Sequence, residues 1–167
     1  MLRLLAALAL AAVPAAAGPL SPQDVPSPLK PWVKWALRGH EDAVCPFLNS
    51  QGAGSRGCAW PGTLRLDLDG SGGRFSQPWR LYAEAWAALP GGSERWPQDV
   101  TVDGRPAAVV SHDGAPAVRL AAGAHVLAGR FAWRALPELL EVPDGTGLLS
   151  LRLGGAAVAL PERDDAG

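Results

Sequence analysis

The sequence predicts an all-β protein, an antiparallel β-sandwich of about eight strands with one short N-terminal helix and one disulfide-closed loop. Two dipeptides, Asp103-Gly104 and Asp113-Gly114, each stand between apolar runs, which is the strongest short-range signal for a β-hairpin. Further short apolar runs occur between Thr63 and Leu160, and the last two lie on either side of Gly154-Gly155. Because no long helical pattern alternates with these runs, a sandwich or small barrel is favoured over a parallel sheet.

The individual strands are predicted from apolar residues at every second position. Residues 63–69 alternate leucines with charged residues. Residues 98–133, which hold both Asp-Gly turns, are expected to form one small antiparallel sheet that ends in a strand over residues 124–133. Residues 74–89 are expected to form one long extended segment that is interrupted by Pro78.

The outer face of the long segment is the predicted binding site. It carries four residues that alternate charged groups with flat rings: Arg80, Tyr82, Glu84 and Trp86. Sugar rings stack on such platforms, and exposed aromatic patches also mark protein interfaces. A third interpretation is that the helix bearing Trp32 and Trp35 covers this face. Most of the seven tryptophans are expected in the core or as staples, with their N–H groups on loop carbonyls.

The N-terminus predicts export. Residues 1–17 combine a basic start, an apolar run and an Ala-x-Ala end, which is typical of a secretory signal peptide and too short to span a bilayer. An uncleaved membrane anchor is the alternative. Cleavage after Ala17 would leave 167 − 17 = 150 residues, comprising an extended leader (18–28), the sandwich domain with its helix (29–160) and a polar tail or linker (161–167). The predicted location is the periplasm or the cell exterior.

One helix is predicted, over residues 29–38. Ser27 is a suitable N-cap, Pro28 or Pro31 fits the first turn, and Gly39 stands just past the end. A helix this short is not stable alone, so it is expected to pack on the sheet.

Cys45 and Cys58 are predicted to form a disulfide, because an even pair of cysteines in an exported chain is normally oxidised. The loop between them is short and rich in glycine, and loop-closure entropy gives the bond about 3 kcal/mol of stabilisation. A reactive or metal-binding pair is the alternative, but no histidine or acidic partner stands at a metal-ligand spacing.

Two short motifs resemble ligand-binding sequences but lack part of the required pattern. Residues 52–57 match G-x-G-x-x-G, but a dinucleotide site needs a strand before it and a helix after it, and cysteines flank this match instead. Residues 67–71 resemble the opening of a calcium loop, but the twelfth position is Pro78 rather than glutamate. A disulfide loop and a hairpin turn are predicted in their place.

The remaining titratable residues are given structural or solvated roles. His112 is expected in solvent beside its turn, and His125 is expected to bond turn backbone. Glu138 and Glu141 could serve glycoside hydrolysis only if the fold matched them in space, so solvation is favoured. No serine lies in a nucleophile elbow. The sequence therefore predicts no enzyme, no metal site and no cofactor.

Two stretches resemble known proteins. Residues 31–60 contain Pro-Trp-x-x-Trp-x-Leu, then His40, Cys45-Pro46 and Cys58-Ala-Trp-Pro. Residues 100–153 contain Val-Thr-Val-Asp-Gly, Leu-Ala-Ala-Gly-Ala-His, Gly-Arg-Phe-Ala-Trp and Leu-Pro-Glu-Leu-Leu. These stretches resemble the N-terminal exported region of large uncharacterised membrane-associated proteins of Gram-negative bacteria, which implies an envelope location and a β-rich ectodomain without a known activity. The strand rhythm also resembles galactose-binding-like β-sandwich modules at the level of the fold.

The expected function is non-enzymatic: an interaction or structural domain of the bacterial cell envelope, or the periplasmic N-terminal part of a larger membrane protein. A carbohydrate-binding module that uses the aromatic strand face is the first alternative, and an envelope hydrolase is the second. An envelope protein or a glycan is the expected partner. The formal net charge of −1 and the lack of a basic cluster argue against nucleic acid. A membrane is expected only through a signal anchor or a further C-terminal part.

Overall fold

The chain divides into two compact units, Met1–Arg38 and Gly39–Gly167. The structure, a computed structural model, describes residues 24–47 and 56–164. The predicted signal peptide, most of the leader and most of the G-x-G-x-x-G match lie outside the described residues.

The second unit is built from β-strands in two sheets, which confirms the predicted all-β sandwich class. Eleven strands are described, several of them only two or three residues long. In chain order they are β1 (Ala59–Pro61), β2 (Leu64–Leu68), β3 (Gly72–Leu81), β4 (Ala85–Ala88), β5 (Gln98–Val102), β6 (Arg105–Pro106), β7 (Val110–His112), β8 (Ala115–Leu120), β9 (Gly123–Ala132), β10 (Leu149–Leu153) and β11 (Ala156–Val158).

The large sheet has the order β11-β10-β2-β3-β9-β5-β6, with β1 also paired to β3, and the small sheet has the order β4-β8-β7. The described strand pairs are antiparallel apart from β10 and β2, which run parallel. A parallel pair needs a long connection between its strands, and β10 follows β2 only after most of the fold. The long strands β3 and β9 pair over their full length at the centre of the large sheet.

The core lies between the two sheets and follows the predicted alternation. Leu64, Leu66 and Leu68 are buried, while Arg65 and Asp67 between them are exposed. Each fully buried large apolar side chain stabilises the fold by roughly 1.5–3 kcal/mol. The buried cluster consists of Leu64, Leu66, Leu68, Phe75, Trp79, Leu81, Ala87, Leu89, Val100, Val118, Leu120, Leu127, Phe131 and Val142.

The predicted hairpin turns are confirmed. The φ angles are 52° and 77° at Asp103 and Gly104, and 52° and 81° at Asp113 and Gly114. Gly154 and Gly155, at 54° and 85°, repeat the pattern. Positive φ at both central residues is what a type I′ turn requires, and these turns join β5 to β6, β7 to β8 and β10 to β11.

Residues 98–133 do not form the single small sheet that was expected. β5, β6 and β9 belong to the large sheet, whereas β7 and β8 pair with β4 in the small one. The link between β8 and β9 therefore crosses from one sheet to the other. Turn residues specify a hairpin locally, but the sheet that a hairpin joins depends on partners distant in the sequence.

The prediction of one segment over residues 74–89 is also wrong. β3 ends at Leu81, residues 82–84 bend, and β4 enters the small sheet. Pro78 is tolerated inside β3 because it lies where the neighbour on one side changes from β2 to β1. Alternation continues across the bend in the sequence, so the pattern alone does not reveal the break.

The short N-terminal helix predicted over residues 29–38 is present, but it is α-helical over only part of its length. A 3₁₀ helix spans Ser27–Trp32, and a single α-helical turn, α1, spans Val33–Ala36. Pro31 lies inside the 3₁₀ helix and has no N–H to donate to the carbonyl four residues earlier. A continuous α-helix would therefore lose a hydrogen bond at this point.

The ends of this helical stretch differ in how well they follow the sequence signals. Ser27 does not cap it, because the cap position is Pro26 and no described side chain bonds the cap. Gly39 has a φ of 78°, as predicted for the residue just past the end. The rings of Trp32 and Trp35 meet edge to face, with centroids 6.3 Å apart.

The Cys45–Cys58 disulfide is present, as predicted. A second 3₁₀ helix, Glu41–Val44, leads into Cys45. On the return side of the loop, Arg56 donates to the carbonyl oxygens of Ala43 and Cys45 at 2.8 and 3.1 Å. These bonds close the described ends of the loop around the disulfide.

The core or staple role predicted for most of the tryptophans is seen for Trp79, Trp60 and Trp133. Trp79 is buried, and the others are half-buried or exposed: Trp32, Trp35, Trp60, Trp86, Trp96 and Trp133. The predicted N–H bonds to loop carbonyls are confirmed for Trp60 and Trp133, which donate to Gly57 and Asp69 at 2.7 Å each. The large ring area of tryptophan predicted burial, but Trp32, Trp35 and Trp96 stand in helical or loop segments where their rings remain exposed.

Candidate functional site

The structure separates the four predicted site residues into two groups. Arg80 belongs to β3 in the large sheet, and Trp86 belongs to β4 in the small sheet. Tyr82 and Glu84 lie in the bend between them. Arg80 remains with Tyr82, whose ring centre is 5.7 Å from its guanidinium carbon. Glu84 is joined to Trp86 through a residue of β8, Arg119.

The first group lies on the outer face of the small sheet and is called the Trp86 cluster: Glu84, Trp86, His112 and Arg119. Arg119 stands directly across from Trp86 in the β4–β8 pair, with its guanidinium carbon over the indole at 5.7 Å. Arg119 also forms an ion pair with Glu84. His112 stacks on Trp86 with ring centroids 4.5 Å apart and an angle of 23° between the planes.

Small residues on β8 allow the two rings to meet. The strands on either side of β8 are about 10 Å apart, and Trp86 and His112 are paired with Arg119 and Ala115, four residues apart along β8. The rings must therefore reach diagonally across that strand. Ala117 lies midway between these two positions, on the same side of β8 as exposed Arg119, yet it is only 2% exposed. We attribute this burial to the rings, since Ala117 points away from the core that Val118 enters.

The charged groups of the Trp86 cluster remain accessible. The side chains of Glu84 and Arg119 are both more than half exposed, so their ion pair adds little to stability. His112 was expected in solvent, but its ring is partly covered by Trp86 and lies 3.5 Å from the Asp113 carboxylate. The cluster therefore offers a flat ring system with a cation and a carboxylate beside it.

The second group is called the Trp60 cluster: Trp60, Arg80 and Tyr82. Trp60 stands directly across from Arg80 in the β1–β3 pair. Both rings are exposed, and Arg80 reaches over Tyr82. The backbone N–H of Tyr82 donates to the Cys58 carbonyl at 2.9 Å, which ties this cluster to the disulfide.

Trp60, His112 and Arg119 are functional candidates that the sequence did not reveal. Arg119 was detectable as the charged position between Val118 and Leu120, whose alternation marks it as outward-facing. Its pairing with Trp86 was not detectable, because that contact depends on the register between two strands that are far apart in the chain.

Two aspartates have turn-stabilising rather than catalytic surroundings. Hydrogen bonds from Ser71, the side chain first and then the backbone, hold the pKa of Asp69 below its ordinary value. This Asp69 turn is the hairpin predicted in place of a calcium loop. The pKa of Asp103 is lowered chiefly by a hydrogen bond with His125. His125 also contacts the Ala121 carbonyl oxygen at 3.1 Å, which confirms its predicted bond to turn backbone.

A cleft of about 670 Å³ opens at the β2–β10 end of the large sheet. It is lined by leucines of both strands, by residues 136–140 and Val142, and by residues 161–164. Arg163 anchors this last stretch by donating to the carbonyl oxygens of Thr146 at 2.6 Å and Pro143 at 3.1 Å. The β10 leucines of this cleft are half-buried, whereas Leu66 and Leu68 of β2 belong to the buried core.

The pair considered for glycoside hydrolysis is divided between two cavities. Glu138 lines the leucine cleft, whereas Glu141 lines a separate cavity of about 270 Å³. Within residues 24–47 and 56–164, no three His, Cys, Asp or Glu side chains converge as metal ligands. None of the described helices is long and apolar enough to cross a bilayer.

The chain matches no protein-family model, no curated protein and no solved structure. The resemblance to exported regions of membrane-associated proteins therefore stays a prediction. Function has to be argued from the two clusters and the disulfide.

Proposed function

We propose that the chain is a non-enzymatic, exported interaction domain of the bacterial cell envelope, and that it binds a protein partner through the Trp86 cluster. The observation that carries the proposal is a partly exposed Trp–His–Arg assembly on the outer face of a β-sheet. Tryptophan and arginine are the residue types that contribute most at protein interfaces. A ring held in place by its neighbours loses little conformational entropy on binding.

Two features support export. The Cys45–Cys58 disulfide is typical of oxidising compartments. Residues 1–17 have the pattern of a secretory signal peptide. The envelope location itself comes from the resemblance of residues 31–60 and 100–153, and it is part of the proposal.

The geometry of the Trp86 cluster favours a protein over a sugar. A sugar stacks on an open ring face, but the His112 imidazole already covers part of the Trp86 indole. Arg119 and Glu84, by contrast, can exchange their mutual ion pair for groups of a partner. We expect a partner surface that combines an apolar or aromatic side chain with charged groups.

The test is capture from an envelope extract by the immobilised chain, followed by direct binding of the captured protein after purification. Trp86→Ala and Arg119→Ala should each weaken binding of the purified partner at least tenfold. Trp96→Ala is the matched control, because Trp96 is exposed but lies outside the cluster. Equal binding by all three variants would show that the Trp86 cluster is not the interface.

A second function, carbohydrate binding, is favoured by a different observation, the two exposed rings of the Trp60 cluster beside Arg80. Cell-wall fragments and outer-membrane oligosaccharides should then change tryptophan fluorescence. Trp60→Ala should abolish that change and Trp86→Ala should preserve it. An unaltered response in Trp60→Ala would exclude this cluster as the sugar platform.

The resemblance also leads us to propose that the domain is the periplasmic N-terminal part of a larger membrane protein. The test is the gene sequence downstream of the Gly167 codon. An open reading frame that continues into membrane-spanning segments is expected, and a stop codon at that point would contradict the proposal. The hydrolase alternative has no comparable support, because Glu138 and Glu141 line separate cavities.

A further inference from the structure

Residues 27–38 of the first unit, here called the basic segment, have an unusual charge composition. They contain Lys30, Lys34 and Arg38, and no aspartate or glutamate occurs anywhere between Val25 and His40. The whole chain has a formal net charge of −1, so this positive segment stands apart from the rest.

The apolar side chains of the basic segment share one side. Leu29, Trp32 and Trp35 recur at every third residue, and this spacing places them on one side of a helical stretch that is 3₁₀ and then α. They are 55%, 62% and 68% exposed, so the described residues of their own unit do not cover them. The contact between the two indoles makes this side a continuous apolar ridge.

The lysines lie on the opposite side. Lys30, Lys34 and Arg38 recur at every fourth residue; helical geometry turns Lys30 and Lys34 away from the ridge, and Arg38 follows in the turn after α1. All three are exposed. The basic segment is thus amphipathic, with large rings on one side and cations on the other.

We propose that the basic segment binds the surface of an anionic phospholipid membrane. Tryptophans prefer the interface between headgroups and acyl chains, and lysine and arginine reach from there to the phosphates. A short amphipathic stretch of this kind lies in the interface and does not span the bilayer. The absence of acidic residues makes its charge complementary to anionic lipids.

This inference goes beyond the proposed function and uses different residues, so either one can fail alone. It would hold the sandwich unit at a membrane after the signal peptide has been removed. At low salt each basic residue is expected to strengthen binding about fivefold, which makes the three together worth roughly a hundredfold. The electrostatic part should weaken as ionic strength rises.

The experiment uses the processed chain recovered after export, with its N-terminus confirmed by mass, so that the apolar signal peptide does not contribute. The chain is sedimented with vesicles of phosphatidylethanolamine and phosphatidylglycerol, and separately with vesicles of phosphatidylcholine. We expect binding to the anionic vesicles, a blue shift of tryptophan emission and weaker binding in high salt.

Two variants test the two sides. Trp32→Ala/Trp35→Ala should abolish the blue shift and most of the binding. Lys30→Gln/Lys34→Gln/Arg38→Gln should remove the preference for anionic over phosphatidylcholine vesicles.

Matched controls are Trp96→Ala for the rings and Arg65→Gln/Arg74→Gln/Arg134→Gln for the charges, since all four residues are exposed outside the basic segment. Retained far-ultraviolet circular dichroism and an unchanged unfolding temperature show that each variant is folded. Failure of the wild-type chain to bind anionic vesicles would overturn the inference. Equal losses in the control variants would overturn it as well.

Discussion

The His125 imidazole lies 2.8 Å from the Asp103 carboxylate and so joins the start of β9 to the β5–β6 turn. The other ring nitrogen is 3.1 Å from the Ala121 carbonyl oxygen, and the second Asp103 oxygen accepts from the Val126 N–H at 2.8 Å. Both partners of the ring are acceptors, so His125 donates to both only when each nitrogen carries a proton. The pair fastens a hairpin of the large sheet to the link that crosses between the sheets.

Asp103→Asn should lower the unfolding temperature at neutral pH and flatten its decline in acid. The pKa of Asp103 is lowered by hydrogen bonds from His125 and from the Val126 N–H. The folded protein therefore takes up this proton less readily than the unfolded chain. The resulting stability is present above about pH 4 and is lost as the pH falls through the lower folded pKa.

Asp113→Asn is the matched control for that prediction. Asp113 has the same φ of 52° in the same type of turn, and asparagine tolerates this conformation, so both turns should persist. The Asp113 carboxylate is largely exposed, and its described ion pair is a 3.5 Å contact with His112. Thermal unfolding as a function of pH compares the variants, and equal effects would contradict a special role for the Asp103–His125 pair.

Reduction of the Cys45–Cys58 bond should destabilise the fold by about 3 kcal/mol, because opening the loop restores entropy to the unfolded chain. Chemical unfolding with and without reductant measures the change. The double variant Cys45→Ala/Cys58→Ala should unfold near the reduced wild type and should not respond to reductant. An unfolding curve that reductant leaves in place would show that the bond does not contribute.

Gly129→Ala should destabilise the protein by about 1–3 kcal/mol through overpacking. A Cβ at Gly129 would lie 2.6 Å from a ring carbon of Phe75 and 3.1 Å from a methyl of Val100. Gly147→Ala is the control, since no atom lies within 4 Å of its Cβ position and its φ is not in the left-handed region. Chemical unfolding compares the two, and a neutral Gly129→Ala would mean that the core yields at this point.

Ala117→Leu should separate the Trp86 and His112 rings, because we attribute the burial of Ala117, on the outer face of the small sheet, to these two rings. We expect a change in the near-ultraviolet circular dichroism of the indole and a loss of stability of about 1–3 kcal/mol. Ala124→Leu, at an exposed outward position of β9, is the control and should change neither. An unchanged spectrum in Ala117→Leu would contradict the ring arrangement described above.

Local sequence features predicted the parts of the fold that depend on neighbouring residues. The Asp103-Gly104 and Asp113-Gly114 turns adopt the left-handed conformations that their residues favour. The alternation of residues 63–69 correctly separated buried leucines from exposed charges. Pro31, however, was treated as compatible with a three-turn α-helix, and its missing N–H produces a 3₁₀ helix instead.

The candidate site was only partly predictable, because some of its contacts join strands that are far apart in the sequence. Glu84 and Trp86 were identified from their alternation with apolar residues, and they do lie on one outer face. Their partners His112 and Arg119 come from strands that are separated in sequence from β4, and nothing local to residues 74–89 specifies them. The break after Leu81, which places Arg80 and Trp86 in different sheets, was not predictable because the alternation continues across the bend.

Local sequence patterns were enough for the turns, the alternating strands and the all-β class, since each depends on backbone conformations and side-chain periods within a few residues. The disulfide followed from the pair of cysteines in a chain predicted to be exported. The tertiary structure alone decided how the strands divide between two sheets, and with that which rings and charges meet. Strand pairing joins residues far apart in the chain, and the energy that selects one pairing over another is the burial of the shared core. Trp86 became the centre of a candidate site because that core placed β4 beside β8.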